Sequence, residues 1–404
     1  MRSLKQFPLF ARLMIGATLG LNMGRYVVLP FFSVYLIETL HLSPLQAGIL
    51  LSLFITLSDL FPIITGTVTA RIGLPLTLLC SCLLCLISLI CFSFFSSFPL
   101  LLLVSLFYGL GSASLEPALR ASLGSLREQE RKTAFTYFHQ AINLGALLGA
   151  IIGGLSWSID QRTTFLVSAI LFGLLFLGFW YFYQEIPRVK QNKVTWQTYR
   201  EILRNKPFLF YTVSMIFYWM LYVQLYVTFP VQLFRTTQSD FWMQAVIPVN
   251  CLLSYLLMFW LRKTFIQYHS FQMITIGMLI MATSIFALPV TGFIWWAFLC
   301  LLCFTFGETI SMPSTDLAVI EQTKPQDYSS YFGVFYGLSY GIGGSLGNFI
   351  GAYATDSSTS VGWSLFGILS LVGILFLYLL QCKFYFQEKI TPSIRRNLSS
   401  QEKG

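Results

Sequence analysis

Charge is what this sequence has least of. Only 10% of its 404 residues are Asp, Glu, Lys or Arg, where soluble domains carry roughly a quarter. Hydrophobic residues make up 56%, so there is too little polar material to coat a water-soluble globule of this size. A cytosolic enzyme, a secreted domain and a disordered chain are excluded together. The alternation of apolar and polar residues over about ten positions that marks a transmembrane β-strand is also missing. Apolar runs of about twenty residues recur instead, the length that a helix needs to cross a bilayer. Lipid offers the backbone no hydrogen-bond partners, so these elements are helices.

Catalytic signals are equally scarce. No Gly-x-x-x-x-Gly-Lys phosphate loop is present, which excludes ATP-driven work by this chain alone. Gly-x-Ser-x-Gly occurs at Gly337–Gly341 and at Gly343–Gly347, but in a glycine-rich helix. A nucleophile elbow needs a strand before it and a histidine after it, and the last histidine is His269. Cys80, Cys82, Cys85, Cys91, Cys251, Cys300 and Cys303 all lie inside apolar runs and read as space-filling residues. Cys82/Cys85 and Cys300/Cys303 have zinc-like spacing, but Leu, Phe and Ile surround them. No metal, cofactor or catalytic set is expected.

What is there is a series of spans, near 9–36, 45–69, 75–94, 99–122, 133–155 and 163–184, then 208–234, 241–261, 270–289, 294–317, 328–354 and 361–382. The opening MRSLK resembles the start of a signal peptide. The apolar stretch behind it runs on to about Leu36 without a small-residue cleavage pattern, so it reads as the first span. The polar segment 185–207 divides the chain into a half over 1–184 and a half over 208–382, followed by a tail, 383–404. The net charge of +9 follows topology rather than nucleic acid. With the amino terminus cytoplasmic, 22 of the 25 Lys and Arg residues fall on the inner side, two (Arg162, Arg235) outside, and Arg25 within span one. Both termini and the linker are therefore expected on the cytoplasmic face of the inner membrane, against anionic lipid.

The chain also repeats itself. Tyr26-Val27-Val28-Leu29-Pro30 returns as Tyr226-Val227-Thr228-Phe229-Pro230, at an offset of 200. Pro117 answers Pro313, and Gly145, Gly149 and Gly153 answer Gly343, Gly347 and Gly351. Six spans per copy is an even number, so the copies enter the membrane the same way round. Parallel repeats of this kind place a substrate site between the halves, with transport by rocking one against the other. Glycines four apart share one helix face and admit a close neighbour.

At these residues the sequence resembles the major facilitator superfamily, most of all its twelve-span proton-coupled drug and metabolite exporters. Asn22, Gly24, Pro30, Phe31, Tyr35 and Leu36 match the span-one pattern. Gly66, Arg71 and Gly73 match the loop after span two, with Ala70 in place of its Asp and Pro75 at a usually basic position. Gly145, Gly149, Gly153 and Gly154 match the antiporter signature of span five, with Ala150 in place of its Pro. Arg131, Ala134, Phe135 and Asn143 match the approach to it. The resemblance implies an all-α integral membrane protein of twelve transmembrane helices in two parallel six-helix repeats. It implies a cavity lined by spans one and seven, and a gating role for Arg71.

Ionisable residues within a bilayer are functional candidates by default. Arg120 and Asp316 occupy equivalent places in the repeat and suit a structural or gating pair. Glu116 precedes Pro117, whose missing N–H leaves polar backbone to hydrate a carboxyl. A proton carrier, with His139 at similar depth, and a bridge from Glu116 to Arg120 both fit. Asp59 and Glu308 are further carboxyls for proton coupling. Arg25, one turn from Asn22, does not give up its proton. Its charge needs a fixed partner such as Asp59, or an anionic or zwitterionic substrate. Tyr218, Tyr222 and Tyr226 form a stripe that either lines the cavity or packs between helices. The expectation is a monomeric secondary transporter for a small organic molecule, exporting it against protons. A siderophore or anionic-metabolite exporter and a proton-coupled uptake permease are the alternatives.

Overall fold

The computed structural model describes residues 4–32, 35–43, 46–47, 49–50, 53–54, 57–58, 61–186, 196–324, 327–356, 368, 371–376 and 378–379. Among these residues every regular element is a helix. Among the described residues, eight helical segments are long and apolar enough to cross a membrane: Leu74–Phe94, Phe98–Gly124, Glu128–Ile159, Gln161–Tyr181, Lys206–Thr237, Phe241–Leu261, Ser270–Val290 and Ile294–Glu321. They correspond to spans three to ten. Span one is helical over Leu9–Val28, and the linker-side end of span two over Pro62–Ile72. Span eleven comprises Tyr328–Phe335, a π-helical turn Tyr336–Tyr340, and Gly341–Asp356. Most of the expected span twelve, the tail 383–404 and Asp59 lie outside the described residues.

Local chemistry sets the helix ends. Pro62, Pro75, Pro99 and Pro207 stand in first turns, where the absent N–H leaves no bond unmade. Asp160 caps span six by accepting from the backbone N–H groups of Arg162 and Thr163. Gly73 turns the chain between spans two and three at φ 87°, a conformation that favours glycine. Spans one and seven are each broken near the repeated Tyr-Val-x-x-Pro motif, at its end in span one and just before it in span seven. The α-helix of span one gives way to a 3₁₀ turn at Leu29–Phe31, and that of span seven to one at Val223–Leu225 before resuming at Thr228–Thr237.

The duplication is visible in the packing. A Cβ at Gly145, Gly149 or Gly153 would collide with the carbonyls of Leu19, Met23 or Val27 in span one. Gly343 and Gly347 stand against Ile216 and Met220 of span seven in the same way. A second matched contact escaped the sequence reading. Gly111 lies on the Ser81 carbonyl between spans four and three, and Gly307 on Gly277 between spans ten and nine, positions that are 196 residues apart. At the end of the bundle that carries the linker, the two repeats touch. Gly124 packs on Tyr328, and the Lys132 ammonium donates to the Tyr268 carbonyl at 3.2 Å.

Candidate functional site

A cavity of about 140 Å³ lies between the repeats. The amino-terminal repeat lines it with polar groups: Asn22, Arg25, Ser112, Glu116, Arg120 and His139. The carboxy-terminal repeat lines it with Trp219, Tyr222, Tyr226, Glu308, Tyr336 and Tyr340. Tyr336 and Tyr340, the two ends of the π-helical turn, both reach the cavity.

Between the cavity and the linker end runs a chain of charges. Arg25 donates to Glu116 at 3.1 Å and to the Ser112 hydroxyl at 2.7 Å. Arg120 donates to the other oxygen of Glu116 at 2.7 Å, so one carboxylate is held by two guanidinium groups. Arg120 Nε crosses the repeat boundary to Asp316, at 3.1 and 3.3 Å from its two oxygens. His139 Nε2 and the Tyr336 hydroxyl complete the coordination of Asp316 at 2.9 and 2.7 Å. The Arg120 guanidinium also lies over the rings of Phe138 and Tyr336, 5.0 and 4.3 Å from their centroids. Asp316 is fully buried, and a charge so placed is tolerable only because it is paired and hydrogen-bonded.

The equivalent couple Arg120 and Asp316 thus meets across the boundary, and the Glu116–Arg120 bridge is made. His139, placed by sequence near Glu116, turns to Asp316. The fixed partner of Arg25 among the described residues is Glu116, while the other candidate, Asp59, lies outside them. Glu308 stands apart: the only polar partner of its carboxyl group among the described residues is Asn250, whose amide donates at 2.7 Å. The tyrosine stripe divides. Tyr222 and Tyr226 line the cavity, whereas Tyr218 is buried with its hydroxyl 2.9 Å from Ser311 Oγ, packing span seven on span ten. Asn22 lines the cavity and donates to the Thr18 carbonyl. Arg71 is exposed at the linker end, away from the cavity.

Toward the other end of the bundle, the hydroxyls of Tyr26 and Tyr226 lie 3.4 Å apart, and Tyr222 stands 3.2 Å from Tyr226. Tyr26 and Tyr226 are repeat equivalents, so the internal two-fold passes between them. Sequence reasoning did not single out Tyr26, Ser112, Trp219, Asn250, Tyr336 or Tyr340. Tyr26 could have been found from the repeated motif, and Ser112 from its offset of 196 to Glu308.

A polar cavity between two repeats of a helical membrane protein is where membrane transporters of this architecture place their substrate site. The family follows from comparison: the model described as Major Facilitator Superfamily matches residues 14–348, and the chain belongs to that family. It is 25% identical over 343 residues to the multidrug resistance protein MdtH of Photorhabdus laumondii, covering 81% of each chain. It is also 25% identical over 230 residues to an uncharacterised MFS-type transporter of Mycobacterium tuberculosis. That match spans only 54% of the relative's length, so it covers about half of it. Among solved structures it is similar to the human organic anion transporter MFSD10, with a TM-score of 0.76 at 12% identity, over 91% of this chain and 98% of that one. At that identity the likeness concerns the fold.

Proposed function

We propose that this chain exports a small organic molecule across the cytoplasmic membrane in exchange for protons. The termini and the linker lie on the cytoplasmic side, and the linker end of the bundle is the inner gate. The observation that carries the reading is the closure of the cavity at that end by Arg120, Asp316, Tyr336 and His139, from both repeats. Polar bonds of this kind can be broken and remade as one repeat rocks on the other, which is what alternating access requires. The export direction is supported by the multidrug resistance names of relatives such as MdtH.

For the proton, Glu308 is the better candidate than Glu116. Glu116 sits between two arginines, and protonating it would take from Arg25 its carboxylate partner and leave Arg120 with Asp316 alone. Glu308 faces the cavity with an amide as the only polar partner of its carboxyl group among the described residues, so gaining and losing a proton there disrupts no ion pair. The anionic-substrate alternative rests on Arg25, which is already engaged by Glu116 and Ser112, and takes second place. The test is uptake of candidate substrates into everted vesicles or proteoliposomes with an imposed pH gradient. Accumulation that collapses with the gradient supports antiport. Accumulation in right-side-out vesicles alone would reverse the direction.

A further inference from the structure

Three observations converge on the carboxyl-terminal wall of the cavity. The first is charge. Among the described residues of the cavity and its inner gate, the carboxyl groups are Glu116, Asp316 and Glu308, against only two arginines, Arg25 and Arg120. Glu116 and Asp316 each have an arginine within 3.1 Å. Glu308 has none. Its side chain belongs to a residue only 4% exposed, and Asn250 occupies one oxygen. The second oxygen has no hydrogen-bond partner among the described residues.

The second observation comes from the repeat. The position 196 residues before Glu308 is Ser112, which accepts from the built-in cation Arg25. The counterpart of Arg25, 200 residues on, is Leu225, an apolar and buried side chain. The carboxy-terminal repeat therefore carries an anionic acceptor where the amino-terminal repeat carries a neutral one, and lacks the cation that would satisfy it.

The third observation is the surrounding wall. Trp219 packs edge to face on Tyr222 and on Tyr340, with centroids 5.1 and 4.9 Å apart, and all three rings line the cavity with Glu308. Aromatic faces attract cations and offer stacking area to a planar ring.

We propose that the transported molecule is a small aromatic amine, its ammonium group on Glu308 and its ring against Trp219, Tyr222 and Tyr340. The ammonium supplies the positive charge that the carboxy-terminal repeat lacks. An anion in the same place would face Glu308 directly, with Arg25 already engaged. The proposal names the substrate class of the site described above and rests on the transport reading for its biological meaning, but its test needs no flux.

Binding of 4-phenylbutylamine, 4-phenylbutanol and 4-phenylbutanoate to the full chain in nanodiscs, measured by calorimetry, varies the head group on one ring. The amine is expected to bind at least tenfold more tightly than the alcohol, and the acid no better than the alcohol. Glu308→Gln should bring the amine to within threefold of the alcohol while leaving the alcohol unchanged. Glu308→Asp should keep part of the preference. No amine binding, equal binding of the three probes, preference for the acid, or a preference that persists in Glu308→Gln would each overturn the site. If Glu308→Gln is not recovered folded, the ranking in the unaltered protein decides. Amine preference without gradient-driven flux would leave the site standing and the transport reading fallen. Flux without amine preference would do the reverse.

Discussion

The two repeats share a backbone and divide the chemistry. Ser112 and Glu308, Arg120 and Asp316, and Tyr26 and Tyr226 occupy matching places, and the glycine stripes of spans five and eleven press on spans one and seven alike. Yet the amino-terminal repeat balances Glu116 with two arginines, whereas the carboxy-terminal one holds two carboxyls and supplies the cavity with no cation among its described residues. Asp316 borrows Arg120 across the boundary, and Glu308 borrows nothing. Duplication has kept the packing that makes the fold and released the charges. The residues that differ between the copies are accordingly the ones that gate and bind in this account.

Arg120 should be the most sensitive position. Arg120→Leu leaves Asp316 buried without its arginine, and losing one partner of a buried pair costs on the order of 3–5 kcal/mol. A large fall in the thermal unfolding temperature in detergent, or loss of folded protein, is expected, with most of it regained in Arg120→Leu/Asp316→Leu. An unchanged melting curve for the single variant would mean that the link between the repeats contributes nothing. Glu308→Gln is the contrasting change. The amide still accepts from Asn250, so the melting curve should hold while gradient-driven flux is lost.

Next come the stripes, where the repeats should behave alike. Gly149→Leu and Gly347→Leu both force a side chain into a backbone contact, and overpacking of this kind costs about 1–3 kcal/mol. Gly154→Ala, whose Cβ would have only ordinary contact with Phe31 at 3.9 Å, should melt as the unaltered protein does. A tolerant Gly347 beside an intolerant Gly149 would break the structural symmetry.

The tyrosine pair on the two-fold predicts the smallest effects. Tyr26→Phe removes a hydroxyl contact at 3.4 Å, and Tyr226→Phe removes that contact and another at 3.2 Å to Tyr222. At about 0.5–1.5 kcal/mol per hydrogen bond, Tyr226→Phe should destabilise more than Tyr26→Phe, and a double-mutant cycle should show the two sites coupled.

Much of this organisation is legible before any coordinates. Apolar run length locates spans three to ten within a few residues, because one physical requirement, crossing hydrocarbon, sets it. Arg120 and Asp316 can be matched by their repeat offset, and equivalent positions that face the axis between the repeats meet there. Rotation about each helix is harder to read. Nothing in sequence spacing says that Asn250 of span eight faces Glu308, or that Tyr218 turns to Ser311 while Tyr222, four residues on, faces the cavity. His139 is the clearest case: it lines the cavity with Glu116, but its ring points across the boundary to Asp316. Such directions depend on how several helices pack together, and on local features such as the π-helical turn of span eleven that periodicity does not announce.

The central claim is that the linker end of the bundle must open for transport. Gly124 of span four and Tyr328 of span eleven touch there, one from each repeat. In a background with the natural cysteines replaced, Gly124→Cys/Tyr328→Cys should be joined by a short thiol cross-linker. Flux in proteoliposomes should then fall to the level of empty vesicles and return when a reducible cross-linker is cleaved. Undiminished flux in a fully cross-linked preparation would contradict alternating access through this end.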